Sequence, residues 1–129
     1  MIHIDLIGGL SSKDIAVDFI KKNTKTDGII TTKPNLVKRA KELSLYTVLR
    51  FFLIDSMALE NVFKSQNNVN PDIIEILPGV MPKIIKRISK QIKCPLIAGG
   101  LITDKEDIMD ALSSGAVCVS STNQDTWKM

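Results

Sequence analysis

Two polar corners of the chain carry residue types that could hold a small anion. Gly99 and Gly100 end a short apolar run, and backbone amides at paired glycines can approach a ligand without a Cβ in the way. A later apolar run ends at four hydroxyl and amide side chains, Ser120, Ser121, Thr122 and Asn123. In a β/α barrel, the loops after the last two strands and the start of a short extra helix form a phosphate site. We therefore predict that these six residues bind a phosphate group.

Charged side chains also lie within or directly after the earlier apolar runs. They are His3 and Asp5 on one face of the first run, Lys33 after the second, Arg50 in the third and Glu75 in the fourth. Charges within strands are costly to bury unless they are paired or bound to a ligand. Two interpretations remain open. In one, an Arg50–Glu75 ion pair only fills the interior; in the other, the bases Lys33 and Arg50 hold a small anion while the carboxylates accept its hydroxyl groups.

Two stretches are rich in basic residues. The stretch from Pro82 to Lys93 contains no acid, and its bases are Lys83, Lys86, Arg87, Lys90 and Lys93. The stretch after Pro34 adds Lys38, Arg39 and Lys41 beside Glu42. Such runs are commonly the solvated faces of amphipathic helices, but an unbalanced basic helix can also bind a nucleic-acid backbone. Aromatic residues do not alternate with these bases, so stacking on single-stranded bases is not indicated.

Six apolar runs separated by helical patterns must position these residues. We expect strands at Ile2–Ile7, Gly28–Thr32, Thr47–Leu53, Ile73–Leu77, Leu96–Ala98 and Ala116–Val119. A βαβ series of this kind predicts a parallel sheet with right-handed crossovers. The expected fold is an α/β TIM-type (β/α) barrel that lacks the first two βα units, so that a partner or further units must cover its open edge. A doubly wound open sheet would need a change of winding direction that the sequence does not indicate.

The intervening helices have recognisable start signals. Five signals each predict the start of a helix. They are Ser11 with Asp14; Pro34; Asp55 or Ser56; Pro82; and a capping box formed by Thr103 and Glu106. The first is expected to bury Ile15, Phe19 and Ile20. The last is expected to begin at Asp104, to carry Ile108, Met109 and Leu112 on one side, and to end at Gly115.

Composition limits the class of protein. The chain has 129 residues, 44% of them apolar, which suits a single (partial) barrel domain over residues 1–129. No apolar run is long enough for a membrane helix, and no signal peptide is visible, so a cytoplasmic protein is expected. Cys94 and Cys118 are expected to be buried reduced thiols rather than a redox pair. With one histidine, neither a metal site nor a catalytic triad is indicated.

Five ordered segments of the chain resemble the glycerol uptake operon antiterminator family. They are HIDLIGGLSSKD (His3–Asp14), DGIITTKPNLVKRAKELSL (Asp27–Leu45), RFFLIDSMALEN (Arg50–Asn61), PDIIEILPGVMPKI (Pro71–Ile84) and PLIAGGLITDKEDI (Pro95–Ile108). The resemblance implies a TIM-type barrel without a cofactor that senses glycerol 3-phosphate and binds the leader of its messenger RNA, preventing premature termination. It also implies about two further βα units before the His3–Asp5 segment.

Other functions remain to be weighed against that of an RNA-binding regulator. Fold analogy alone allows an enzyme acting on a small phosphorylated substrate, such as an isomerase, lyase or phosphodiesterase. Its acid–base candidates would be Asp5, Lys33 and Glu75, whose balanced charges favour holding a ligand over reacting with it. A scaffold that only binds proteins, and a homo-oligomer, are further possibilities.

Overall fold

The computed structural model describes residues 1–6 and 13–121, and one parallel sheet forms its centre. The strands are β1 (Ile2–His3), β2 (Gly28–Thr31), β3 (Tyr46–Phe52), β4 (Ile73–Leu77), β5 (Leu96–Gly99) and β6 (Cys118–Ser120). They follow one another in the sheet in chain order, and every pairing is parallel. Because the order never reverses, the doubly wound alternative is excluded. The fold is a TIM-type β/α barrel with six of the eight strands that close such a barrel.

In residues 1–6 and 13–121, five helices alternate with these strands. They are α1 (Asp14–Asn23), α2 (Pro34–Glu42), α3 (Ser56–Val69), α4 (Pro82–Gln91) and α5 (Lys105–Ser113). Their apolar sides pack on the outer face of the sheet, where Ile29, Leu49, Ile74 and Ile76 are fully buried. Both faces of a parallel sheet are normally covered, which explains why its strands are continuous apolar runs. The charged residues must then project from the other, inner face.

The strand predictions are confirmed in number and order, with shifts at both edges of the sheet. β1 ends at His3, and Ile4–Leu6 form one turn of 3-10 helix. Asp5 therefore leaves the strand, because its carboxylate binds the end of β2, as described below. β6 starts at Cys118, two residues later than expected, so that Ser120 is its last residue rather than part of a turn.

The buried sides of the two terminal helices were predicted incorrectly. In α1, Ile15 and Phe19 are exposed, and the helix buries Ala16, Val17 and Ile20 instead. In α5, Met109 and Leu112 are exposed, and the buried residues are Ile108 and Ala111. Among the described helices, α1 packs mainly on α2 and α5 mainly on α4, so that each has its main helical neighbour on one side. The other side of each helix flanks the open side of the partial barrel.

Helix starts follow their sequence signals, with one correction. Asp55 caps α3, since its Oδ1 accepts a hydrogen bond from the Ala58 amide at 2.8 Å. The cap of α5 is Asp104, whose Oδ1 accepts from the Asp107 amide at 2.8 Å; the Thr103–Glu106 capping box was therefore predicted one residue too early. Asp107 Oδ2 in turn accepts from the amide and hydroxyl of Thr103, at 3.1 and 3.2 Å.

Three other expectations can be compared with the structure. α4 ends at Gln91 rather than Lys93 because Ile92 is extended. Cys94 is half-buried and Cys118 is exposed; both are free, so the expectation of two buried thiols was wrong for Cys118. Within residues 1–6 and 13–121, no helix combines the length and apolar character needed to cross a membrane. Ser11 lies outside the described residues.

The corrected cap of α5 generates a stability prediction. Asp104→Ala removes the acceptor of the Asp107 amide and should lower the free energy of unfolding by about 1 kcal/mol. Asp104→Asn retains an acceptor and should cost much less. Glu106→Ala should stay within about 0.5 kcal/mol of the wild type, as other exposed substitutions do. Urea unfolding of the three variants tests this. A larger loss of unfolding free energy for Glu106→Ala than for Asp104→Ala would support the capping box predicted from Thr103 and Glu106.

Candidate functional site

Arg50 and Glu75 form an ion pair on the inner face of the sheet. The register of β3 and β4 places the two residues side by side. Arg50 Nη2 lies 3.1 Å from Glu75 Oε1 and 3.3 Å from Oε2. The Glu75 side chain is only 4% exposed and that of Arg50 is 19% exposed. The predicted pairing of these two charges is confirmed, and the carboxylate depends on the guanidinium for compensation.

His3 joins this pair to a second one. Its Nε2 lies 2.8 Å from Arg50 Nη1, and guanidinium nitrogens only donate hydrogen bonds. Burial and the adjacent Arg50 charge lower the pKa of His3, while Asp5 and Glu75 oppose this shift. On the other side of His3, Lys33 Nζ lies 3.5 Å from Asp5 Oδ1. The four charges thus form two ion pairs with a histidine between them, which we call the charge ring (His3, Asp5, Lys33, Arg50 and Glu75).

Asp5 has a structural role at the end of β2. Its carboxylate accepts three hydrogen bonds of 2.7 Å, from the Thr31 hydroxyl and from the amide and hydroxyl of Thr32. Burial alone would raise the pKa of Asp5, but these hydrogen bonds and Lys33 lower it overall. Asp5 is therefore ionised at neutral pH. Its contacts fix the loop that carries Lys33 into α2.

The two predicted polar corners meet around one cavity at the carboxyl end of the sheet. The cavity has a volume of about 370 Å³ and is lined by Arg50, Glu75, Leu77, Gly100, Leu101, Ile102, Thr103, Ser120 and Ser121. This is within the range of small-molecule sites. Gly99 pairs with Ser120 in the sheet, and a Cβ on Gly99 would lie 2.7 Å from Glu75 Oε1. The glycine is thus what leaves room for the carboxylate.

The turn after β5 has an unusual backbone. Gly100 has a φ of +79° and Leu101 a φ of +59°, and Leu101 exposes its side chain at the rim of the cavity. The Gly100 carbonyl accepts a hydrogen bond of 2.9 Å from the Gly79 amide in the β4–α4 loop. Gly100 adopts its positive φ without cost, but Leu101 pays conformational energy in the left-handed region, and such strain is concentrated at functional sites. The turn is therefore held in place from the neighbouring loop.

The remaining predicted residues of this corner differ in their availability. Ser120 is exposed at the end of β6. Ser121 already donates its hydroxyl to the Ile102 carbonyl at 2.9 Å, although its oxygen can still accept. Thr122 and Asn123 lie outside the described residues. Asp5 and Lys33 do not line the cavity.

A larger concave surface of about 670 Å³ lies along the open side of the sheet. Its apolar floor includes Ile30, Val48, Ile73 and Ile97, which project from the inner face of successive strands. In a closed barrel these positions form a packed interior rather than a pore. The larger surface therefore corresponds to the interior of a closed barrel, whereas the smaller cavity lies at the carboxyl end of the strands.

The two predicted basic surfaces differ in the structure. On α4, all the basic side chains are exposed, while Ile85 and Ile88 are buried beneath them; the exposed bases are Lys83, Lys86, Arg87 and Lys90, with Lys93 just beyond the helix. None of them forms an ion pair with any residue in the described parts of the chain. We call these five residues the basic helix face.

The bases of α2 are largely occupied by other contacts. Arg39 lies 2.7 Å from Asp18 Oδ1 and 2.8 Å from Glu42 Oε2. Lys41 donates a hydrogen bond to the Asn70 carbonyl. Lys38 alone of the three remains exposed without such a contact in the described structure. The sequence pattern could not show this, because Asp18 and Asn70 are distant in the chain.

Sequence reasoning noticed His3 but did not include it among the candidate site residues. Its position two residues before Asp5 was the available indication. Gly79, Leu101 and Thr103 were also missed, since their importance comes from contacts between loops. Within residues 1–6 and 13–121, no group of three or more His, Cys, Asp or Glu residues is arranged to hold a metal ion.

Comparisons with known proteins agree on one family. Residues 1–127 match the family model described as glycerol-3-phosphate responsive antiterminator. The uncharacterised protein YgcP of Escherichia coli K12 is 42% identical over 128 residues, which are 99% of this chain and 67% of that protein. The crystal structure of the glycerol uptake operon antiterminator regulatory protein of Listeria monocytogenes has a TM-score of 0.93 and 36% identity, covering 98% of this chain and 68% of its own. A glycerol uptake operon antiterminator-related protein of Thermotoga maritima has a TM-score of 0.81 and 35% identity, covering 98% and 72%.

The Arg50–Glu75 pair predicts unequal mutational costs. Arg50→Met leaves a buried carboxylate uncompensated and should lower the free energy of unfolding by about 3–5 kcal/mol. Adding Glu75→Gln removes that charge and should recover part of the loss. Urea unfolding of both single variants and of the double variant measures the coupling. A double variant as unstable as the sum of the two single variants would show that the two side chains act independently.

Proposed function

The chain belongs to the glycerol-3-phosphate responsive antiterminator family, and we propose that it is a non-enzymatic regulator that binds glycerol 3-phosphate and a leader RNA. The cavity at the carboxyl end of the sheet is the effector site, and the basic helix face is the RNA surface. The observation that carries the proposal is the meeting of a glycine turn, a guanidinium and a buried carboxylate around one small cavity.

The cavity offers complementary groups for both ends of glycerol 3-phosphate. The Gly99–Gly100 turn, Ser120 and Arg50 supply donors for phosphate oxygens. Glu75 supplies carboxylate oxygens that accept hydrogen bonds from hydroxyl groups. Asp5, which pairs with Lys33, acts on His3 electrostatically, and His3 accepts a hydrogen bond from Arg50. A phosphate ester with neighbouring hydroxyls fits this set better than a phosphate alone.

The same groups argue against acid–base catalysis. Asp5 is held ionised by three hydrogen bonds, and its lowered pKa makes it a weak proton acceptor at neutral pH. Glu75 is engaged by Arg50, and Lys33 by Asp5. Groups paired in this way are suited to binding. A regulator that acts on leader RNA would work in the cytoplasm, where transcripts are made.

The basic helix face suits an RNA backbone. Its five bases lack acidic partners in the described structure and project into solvent, where they attract phosphates. Side chains on such a face can contact phosphates but cannot read base edges in the deep, narrow major groove of A-form RNA. The α2 bases Lys38, Arg39 and Lys41 are a weaker candidate because Arg39 and Lys41 already have partners.

The open side of the barrel is covered in the working protein. Ile15 and Phe19 on α1, and Met109 and Leu112 on α5, expose apolar surface on its two flanks. About a third of each relative lies outside the match with this chain, which would suffice for two further βα units. A second copy of the chain is the alternative cover, and a homo-oligomer would then result.

Titration with glycerol 3-phosphate tests the effector site. The wild type should bind, and Gly99→Ala should bind at least about tenfold more weakly, because the new Cβ would displace the Glu75 carboxylate and its guanidinium partner. Gly100 is a less suitable position, since its φ of +79° would strain any side chain. Isothermal titration calorimetry measures affinity, and thermal unfolding checks that the variant is folded. Equal affinity in the wild type and a folded Gly99→Ala variant would show that glycerol 3-phosphate does not bind in this cavity.

Salt dependence of RNA binding tests the basic helix face. Log affinity for leader RNA should fall with log salt by about 0.7 for each phosphate contact, so the triple variant Lys86→Gln, Arg87→Gln, Lys90→Gln should show a slope shallower by about 2. Filter binding or anisotropy across salt concentrations, with and without glycerol 3-phosphate, gives the slope and the effect of the ligand.

A matched control removes the same charge from α1 and the loop that follows it. Lys21, Lys22 and Lys25 are exposed, and their replacement by glutamine changes the net charge equally. The control should leave the slope near that of the wild type, and both triple variants should bind glycerol 3-phosphate normally. An unchanged slope in the α4 variant would place the RNA surface elsewhere, and an affinity independent of glycerol 3-phosphate would refute ligand control.

A further inference from the structure

His3 has a defined protonation state in the free protein. Arg50 Nη1 donates to His3 Nε2 at 2.8 Å, so Nε2 must carry a lone pair and the single ring proton must be on Nδ1. His3 Nδ1 is itself buried and has no hydrogen-bond partner among the described residues. Burial and the Arg50 charge lower the pKa of His3, with Asp5 and Glu75 acting in the opposite direction. Neutral His3 therefore occupies one of the donors that Arg50 could offer a ligand.

The charge ring is electrically balanced while His3 is neutral. Lys33 and Arg50 supply two positive charges, and Asp5 and Glu75 supply two negative charges. A phosphate-ester dianion entering the cavity adds two negative charges beside a carboxylate that is 96% buried. Excess charge of one sign is costly in a poorly solvated site unless a compensating charge arrives with it.

We propose that His3 supplies this compensation, taking up one proton from solvent when a dianion binds and releasing Arg50 to the anion. This rests on the proposed effector site and assigns His3 a role within it. The proton binds His3 Nε2, which ends the Arg50 Nη1–H···Nε2 hydrogen bond. The freed Nη1–H then donates to an oxygen of the anion, and the imidazolium adds a positive charge beside it.

The sign of the pH dependence follows from linkage. Bound anion raises the pKa of His3 above its lowered value in the free protein, so anion affinity is greater at the acidic side and falls as pH rises between the two values. One linked proton limits the slope to tenfold per pH unit. The other charged groups that act on His3 are Asp5 from the 3-10 turn, Arg50 on β3 and Glu75 on β4, and Lys33 after β2 pairs with Asp5. All four are retained when His3 alone is changed, so a comparison of variants isolates its contribution.

Sulfate is the appropriate first probe, because it keeps two negative charges between about pH 5.5 and 8 whereas a phosphate ester titrates there. Calorimetric titrations of the wild type across this range should show an affinity that falls as pH rises. Repeating them in two buffers with different ionisation enthalpies should give close to one proton taken up per sulfate at the steepest point. Glycerol 3-phosphate is titrated in parallel.

His3→Gln is the decisive variant. An amide oxygen can accept the Arg50 hydrogen bond in place of Nε2 but cannot take up a proton. The variant should bind sulfate with an affinity that is nearly independent of pH, and proton uptake should be lost. A pH slope equal to that of the wild type in His3→Gln would overturn the inference, as would wild-type binding without proton uptake. The latter result needs no variant, so the test holds even if His3→Gln does not fold.

These titrations distinguish failure of the effector site from failure of the role of His3. If sulfate and glycerol 3-phosphate both fail to bind the wild type at every pH, the effector site itself is wrong and the role of His3 falls with it. If sulfate binds without proton uptake, the effector site stands and only the role of His3 is lost.

Discussion

The ion pair between Arg50 and Glu75 is the constraint on which the inner face of the sheet depends. A carboxylate this deeply buried would be strongly destabilising without its guanidinium. The pairing requires β3 and β4 to be in register, and that register is maintained by residues on the opposite face, where Leu49, Ile74 and Ile76 are fully buried. The apolar outer face thus fixes the geometry that the charged inner face needs. Below the pair the inner face is apolar, and above it the lining of the cavity combines polar side chains with Leu77, Leu101 and Ile102.

The cavity and the basic helix face differ in their electrostatics, because the charges of the charge ring are balanced and those of the helix face are not. The charge ring has two positive and two negative charges, so it attracts anions only weakly at a distance. The basic helix face is exposed and lacks acidic neighbours in the described structure, so its field extends about a Debye length, roughly 8 Å at physiological salt. A small effector selected by shape and hydrogen bonds suits the first surface, and a long polyanion suits the second.

The fold could be read from the sequence because its signals are local and repeated. Six apolar runs correctly predicted the strands, since strands buried on both faces are continuously apolar. The helix starts were correctly predicted from Pro34, Asp55 and Pro82. The errors lie where a contact distant in the chain decides the outcome. Asp5 left its strand because it binds Thr31 and Thr32. Ile15 and Met109 are exposed because each of their helices has its main helical neighbour on one side, which no local pattern reveals.

The pairing at the site was predictable, because alternation along two neighbouring strands placed Arg50 and Glu75 on one face. The rest of the site could not be predicted, because the loop that connects the cavity to the basic helix face has no apolar pattern. β4 carries Glu75 and leads through Gly79 to Pro82, where α4 begins. A Cβ on Gly79 would lie 2.9 Å from the Gly99 amide nitrogen, and the Gly79 amide already binds the Gly100 carbonyl. The β4–α4 loop and the glycine turn are therefore in direct contact, three residues before α4 begins at Pro82.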